Sequence, residues 1–482
     1  MNMHTLSTLF LYRWRYVISY IGLVIALLTA ITIALLYAPG GLTQAEIDGL
    51  ATTQHLASGT IAIPNLPLHG LQAAFFSLFG VSTFTIKLPA AIFAISSVIA
   101  MFFLLRRWFK PGIATLSLTL MVITGQFIYI AQSFTPGIMY IFWSTLILLF
   151  GSLIAQKAKR STVWKVALAL SMGLSLSTPY FWYINLGILL VGLIHPHTRH
   201  LLLARKYRLS WLPAIIAFAI ATAPLAYLCT TQPSLLQALL GLGALSIPTF
   251  DGAMLLIRAF LWPAPTVAHG QLMPVIDMGA MALIILGIAA SIRQWHTARS
   301  YVIIAWLPLV LPLILLIPEA LGIATIPMFI LLAVGLETLL NEWYKLFPKN
   351  PYARGTGLLL TVILLGIMML SGVNRYIKSY HYNPTAITAH SVDLQLLQSD
   401  LRQHDAATIV TADSERPLYE ALARYTKKSL TIANSADGAV KDMPLYITRA
   451  ARKPDDAPKQ RHLARIIVNA RATDADRFYY YK

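Results

Sequence analysis

Residues 66–109 read LPLHGLQAAFFSLFGVSTFTIKLPAAIFAISSVIAMFFLLRRWF, and the second half of that stretch decides the fold class. Between Lys87 and Arg106 lie eighteen residues without a charge. A helix needs about 20 predominantly apolar residues to cross a bilayer core, so residues 86–105 read as a membrane span with one cation at its entry and Arg106 and Arg107 at its exit. The rest of the chain has the same character. Of its 482 residues, 57% are hydrophobic and only 12% charged, with a mean hydropathy of +0.66. Soluble domains carry roughly 25% charged residues, so this is a membrane composition. The net charge of +18 would point to nucleic acid if it were gathered on one face. Instead the basic residues stand in short clusters between apolar runs, a pattern of topology that argues against a nucleic-acid partner. The single cysteine, Cys229, excludes an intrachain disulfide and leaves the redox compartment open.

Working outward from 86–105, the same length rule predicts about eleven transmembrane helices, at 17–37, 86–105, 112–131, 137–155, 163–178, 181–195, 210–229, 274–292, 300–317, 320–340 and 356–373. The first follows the basic YRWRY, is longer than a signal-peptide core and lacks a small-residue cleavage site, so it is expected to stay as an uncleaved span. With the N-terminus inside, the inner segments hold eighteen lysines and arginines, while the outer loops hold Arg258, with Lys87 at a helix edge. By the positive-inside rule this predicts a multi-pass protein of the plasma (inner) membrane with a cytoplasmic N-terminus.

Two outer loops are long, 38–85 and 230–273, and both contain apolar stretches at helical spacing that are expected to lie as interfacial helices among the membrane lipids. After residue 379 the composition changes. The tail 380–482 holds fifteen basic and twelve acidic residues. AATIVTADSERPLYEALARYTKKSLTIAN alternates a β-branched run, a helical run and a second β-like run, and LARIIVNA and DRFYYYK add strands. The expected division is a transmembrane domain over 1–379 and a small α/β domain over 380–482, placed outside the cytoplasm by the odd number of spans.

Carboxylates are scarce before residue 380. There are seven, and five of them, Glu46, Asp48, Asp251, Asp277 and Glu319, fall on or near the outer surface. Ionisable groups at a membrane are costly and mark functional sites, so the pair in GLTQAEIDGL (41–50) attracts attention. Glu46 and Asp48 stand two apart, about 200° on a helix, and cannot both face one site. Glu46 has a plain structural explanation as well, because Thr43-Gln44-Ala45-Glu46 has the form of a capping box.

An inside N-terminus, one span, a long outer loop opening with acids, many further spans and an outer C-terminal domain resemble the layout of the GT-C glycosyltransferases. That class includes the protein O-mannosyltransferases and the aminoarabinose transferase of lipid A. The stretch 66–109 is similar to the class's proline-rich entry, helix, FGvs, RLP and basic end of the second span, and GLTQAEIDGL occupies the place of its Asp-Glu motif. The aspartate of that motif is Ala45 here, which leaves Glu46 to match the glutamate. Lys87 stands for the arginine of RLP, and Gln132 and Gly137 stand where many members carry an arginine and an aspartate.

The resemblance implies a transferase that moves a sugar from a polyprenyl-phosphate donor to a lipid, glycan or protein acceptor on the outer side, with a first-loop carboxylate as general base. Glu46 is the preferred base and Asp48 the second candidate. Lys87 and Arg258 are the outer-side cations available for the lipid phosphate, against the alternative of snorkelling to headgroups, and His69 and His269 could assist them. No cofactor is expected. Asp251 and Asp277 do not belong to an Asp-x-Asp pair, although a divalent metal stays open. HPHTRH, with His195, His197 and His200, reads as a basic inner loop, and the aromatics of TPYFWY and Trp262 as an interfacial belt. No phosphate-binding glycine loop points to an ATP-driven pump. Two rivals remain at this stage: an inactive scaffold of the same architecture, motivated by Ala45, Gln132 and Gly137, and a lipid or solute transporter, which the nearly charge-free span centres disfavour.

Overall fold

The computed structural model of the chain describes residues 14, 17–18, 20–29, 41–59, 63–242, 250–261, 266–268, 271–381, 383–435, 443–452, 461–470 and 475–482. The expected spans are helical over most of their described residues. Six helices are long and apolar enough to cross a membrane among the described residues: Thr83–Trp108, Gly137–Ala155, Leu209–Thr231, Ala298–Leu316, Gly322–Leu346 and Tyr352–Lys378. Two bent pairs bring the number to as many as eight, Pro111–Ile123 with Gly125–Gln132 at 63° and Phe181–Ile194 with Pro196–Leu203 at 98°. The expected eleven exceeds this by three: the first span, which is described only in part, and two helices that are short for a bilayer core. Ser161–Ser175 has 15 residues and Met278–Arg293 has 16, which at 1.5 Å per residue is about 22–24 Å against a core of about 30 Å. Of the expected first span, the helix Tyr20–Thr29 is described and 30–37 lies outside the described residues.

The chain forms two compact units. The first takes in Ile92–Ala131 and Pro136–Tyr376, together with the N-terminal segment. Its helices Met278–Arg293 and Gly322–Leu346 pack backbone to backbone at Gly287 and Gly335. A Cβ at Gly287 would stand 2.0 Å from the Leu331 carbonyl oxygen, and one at Gly335 would stand 1.9 Å from that of Leu283. Small residues at such crossings supply the close van der Waals contact on which helix association in lipid depends. Prolines lie inside several of these helices, among them Pro213, Pro224, Pro308 and Pro312, as neighbouring helices in a membrane allow.

The second unit takes in Ile33–Ala91, Gln132–Thr135 and Ile377–Lys482, so the first long loop and the tail are packed as one body. Its elements include helices α1 (Gln44–Ala57), α2 (Leu66–Phe79), α3 (Asp393–Leu401) and α4 (Arg416–Tyr425). Strands β1 (Ala406–Val410), β2 (Ser429–Ala433), β3 (Leu445–Thr448), β4 (Leu463–Val468) and β5 (Asp476–Tyr481) form one sheet in the order β2-β1-β3-β5-β4. The β1–α4–β2 unit is parallel, as its β-α-β pattern predicts, and β5 runs antiparallel to both of its neighbours. Alternation of side chains buries Val410, Leu445, Ile447, Tyr479 and Tyr481 in one cluster.

Hydrogen bonds tie the loop to the tail within this unit. Leu42 and Ser391 form an antiparallel bridge, N–H to carbonyl at 2.7 and 2.8 Å in the two directions. On α1, Gln54 donates to the Pro417 carbonyl at 2.5 Å, and Arg424 of α4 donates to the Ala57 carbonyl at 2.7 Å.

Candidate functional site

Helix α1 begins where its sequence says it should. Thr43 is extended and its hydroxyl accepts the Glu46 N–H at 3.3 Å, while Glu46 Oε2 accepts the Thr43 N–H at 2.9 Å. The capping box therefore forms, and it fixes the Glu46 carboxylate at the helix start. The same carboxylate is fully buried, at 0% exposure, and Lys87 is 5% exposed. Lys87 Nζ lies 3.1 Å from Oε1 and 3.3 Å from Oε2, and the Phe134 N–H donates to Oε1 at 2.9 Å. A carboxylate offers about four acceptor positions. Here Thr43, Phe134 and both approaches of Lys87 fill them.

Lys87 is positioned by a chain of polar contacts next to it. The Gln72 amide donates to the Ile86 carbonyl at 3.1 Å, Thr53 Oγ1 donates to Gln72 Oε1 at 2.5 Å, and Thr53 Oγ1 lies 2.7 Å from His69 Nδ1. Since Thr53 has one proton and gives it to Gln72, His69 donates through Nδ1. The His69 ring meets Phe134 edge to face at 5.3 Å between centroids. Burial lowers its pKa from 6.5 to about 4, so the ring is neutral near pH 7. A neutral imidazole bonded to Thr53 holds α1 against α2 and brings no positive charge for a phosphate.

Asp48 lies on the exposed side of α1, where its Oδ1 accepts from Gln44 Nε2 at 2.9 Å. Gln44 also donates to the Ser414 carbonyl at 2.9 Å, which sets this face towards the loop between β1 and α4. Ala45, the residue at the missing aspartate of the class motif, is exposed too. Asp48 is three positions further on, within about 60° of it around the helix. The two residues therefore share a face, one turn apart.

Of the residues singled out in the sequence, Glu46, Lys87 and His69 are brought together in the second unit, and Asp48 stands on the other, exposed face of α1. Arg258 is exposed on the helix Phe250–Leu261 and belongs to the first unit. His269 lies outside the described residues, as does Trp262. Asp277 caps Met278–Arg293 by accepting the Ala280 N–H at 2.7 Å. Among the described residues no group of three His, Cys, Asp or Glu side chains is placed to hold a metal ion.

Sequence reasoning missed His390. It is buried, its Nδ1 lies 2.7 Å from the Ala386 carbonyl, and it stands within electrostatic range of both Lys87 and Glu46. Burial first, and then the Lys87 charge, lower its pKa, against the opposing effects of the Ala386 carbonyl and Glu46. Its place in the tail, more than 300 positions from Lys87, gave no local signal. The Phe134 N–H was equally hidden, because a backbone donor leaves no mark in the side-chain pattern.

Residues 68–227 match the family described as dolichyl-phosphate-mannose-protein mannosyltransferase. A comparison with curated protein sequences gives no match. Among solved structures the chain is similar to ArnT from Cupriavidus metallidurans bound to undecaprenyl phosphate, at 14% identity over 95% of this chain and 97% of that one, with a TM-score of 0.57. It is also similar to the Archaeoglobus fulgidus oligosaccharyltransferase in the apo form, at 12% identity over 88% of this chain and 65% of that one, with a TM-score of 0.54. The archaeal oligosaccharyltransferase AglB from Archaeoglobus fulgidus, in complex with an inhibitory peptide and a dolichol-phosphate, gives a TM-score of 0.53 at 13% identity over 88% of this chain and 65% of that one. The protein has the fold of the GT-C-type membrane glycosyltransferases.

Proposed function

We propose that the protein transfers a sugar from a polyprenyl-phosphate donor to an acceptor on the outer side of the membrane. The observation that carries this reading is the buried Glu46–Lys87 pair at the start of α1, in a chain whose fold is shared with proteins solved with undecaprenyl phosphate and dolichol-phosphate. Lys87 has three N–H donors. The ammonium is paired with the Glu46 carboxylate, and a remaining N–H is the one we assign to the oxygen of the departing lipid phosphate, where positive charge lowers the barrier as negative charge develops. Glu46 then acts as a positioning residue. With its lone pairs occupied it holds the ammonium in place and does not take a proton.

The proton acceptor in this reading is Asp48. It is exposed, its Oδ1 accepts from Gln44, and it shares the Ala45 face of the helix. The acceptor hydroxyl attacks the anomeric carbon of the donor, its proton passes to the Asp48 carboxylate, and the carbon–oxygen bond to the lipid phosphate breaks with the electron pair going to the phosphate. The filled coordination of Glu46 also favours one other reading, a scaffold of the same fold without turnover. Purified protein in vesicles with a panel of radiolabelled polyprenyl-phosphate sugars and a membrane extract as acceptor separates the two. Loss of label from one donor with release of free polyprenyl phosphate is expected. Donors that all remain intact in the presence of active extract would favour the scaffold.

A further inference from the structure

The helices of the first unit enclose a partly open cavity of about 380 Å³, inside the range of roughly 300–1,000 Å³ typical of ligand pockets. Its wall is apolar and includes Ile147, Leu148, Met172, Ile188, Leu189 and Leu201. Its polar members are Ser152, Gln156, His197, Thr198 and Arg299, and hydrogen bonds gather Gln156, His197 and Arg299 at one end. Gln156 donates to the Arg107 carbonyl at 3.4 Å, Arg299 donates to the Trp108 carbonyl at 3.3 Å, and His197 Nε2 lies 3.2 Å from the Ala155 carbonyl. Two adjacent peptide pairs, Arg107–Trp108 and Ala155–Gln156, thus anchor three of the five.

The chain segments at that end are strongly basic. Residues 105–112, 156–162, 195–204 and 293–299 contain no aspartate or glutamate and carry Arg106, Lys110, Lys157, Arg160 and Arg199 among others. Glu337 lies within electrostatic range of Arg299 and offsets part of this charge. Arg299 is held over the Phe109 ring at 5.1 Å. An arginine has five N–H donors, of which the Trp108 carbonyl takes one.

An apolar cavity tends to stay dry unless an apolar ligand enters it. A cavity in membrane-spanning helices is surrounded by such ligands, and a basic end selects the negatively charged ones. We propose that this cavity is a binding site for an anionic phospholipid, with one acyl chain in the apolar part and the phosphate at Arg299. The bulk phospholipid around the helices is the chain-bearing anion at the highest local concentration. None of these residues belongs to the donor site proposed above, so the two readings stand or fall separately.

The test uses the full chain reconstituted in vesicles with equal phosphatidylglycerol and phosphatidylcholine of identical acyl chains, followed by gentle extraction and native mass spectrometry. Retention of phosphatidylglycerol over phosphatidylcholine is expected. Arg299→Gln should lower that preference about fivefold, the worth of one basic residue near an anionic headgroup. A Cβ at Gly151 meets no atom within 4 Å, and one at Gly192 meets only Leu202 Cδ1 at 3.6 Å. Gly151→Phe should therefore occupy the cavity and abolish retention, and Gly192→Leu does the same by a smaller change should the first variant fail to fold. Equal retention of the two lipids overturns the proposal, as does unchanged retention in a folded cavity-filling variant. Preferential capture of polyprenyl phosphate, added as a third lipid, overturns the choice of ligand.

Discussion

Removing either partner of the Glu46–Lys87 pair leaves the other charge buried with nothing to balance it. Breaking a buried pair from one side costs about 3–5 kcal/mol, so Glu46→Gln and Lys87→Met should each lower the thermal midpoint of the detergent-solubilised protein markedly. The double variant removes both charges together and should recover at least half of the loss; a double variant as unstable as the sum of the two would show that the charges do not act as a pair. His69 adds a pH dependence. Its pKa is lowered in the folded protein to about 4 from 6.5, so between those values the unfolded chain binds more protons. The His69 contribution is complete above about pH 6.5, is lost as the pH falls through that range, and is worth about 3 kcal/mol in total. His69→Gln should flatten the stability profile between pH 6.5 and 4, and an unchanged slope would assign it to other groups. At this scale the capping box was legible in the sequence, since Thr43 and Glu46 are three apart. The partner of Glu46 was not, because Lys87 is 41 positions away and only the fold brings it near.

Helix α1 is held at its start by a junction that leaves no room for a side chain. A Cβ at Gly41 would stand 2.7 Å from the Ser391 carbonyl oxygen and 2.9 Å from the His390 backbone. Gly41→Val should therefore disrupt the Leu42–Ser391 bridge and move His390 from the neighbourhood of Lys87. Faster cleavage between 382 and 392 in limited proteolysis is the expected sign, and wild-type protection would show that the bridge does not hold the tail. The elements themselves were legible wherever a long periodic run carried them, as at 137–155 or 406–433. Strand β3 was not. It has only four residues, Leu445–Thr448, and its place at the middle of the sheet comes from pairing with β1 and β5 on either side. The broken helices were missed for a related reason. Thr124 interrupts an apolar run without a change in hydropathy that a window would register, and the short helix Pro196–Leu203 was read as a basic loop because of its PHTRH.

At the scale of the whole molecule, we propose an inside N-terminus from the basic clusters and an outside tail from the expected odd number of spans. Protease added to intact spheroplasts should remove the tail, and protection there together with cleavage in inside-out vesicles would reverse the orientation. The layout of the GT-C class was legible from one span, an acidic first loop and a terminal α/β segment. The division of labour between Glu46 and Asp48 was not, because burial and hydrogen-bond partners set it. The measurement that bears most directly on that division is the turnover number for the polyprenyl-phosphate donor with Asp48→Asn in place of the wild type, in vesicles and at saturating donor. A general base contributes about 10²–10⁴-fold. Asp48→Asn should therefore lower kcat by that factor with the midpoint of unfolding unchanged, because the side chain is exposed. A kcat equal to wild type in Asp48→Asn would contradict the assignment of Asp48 as the base.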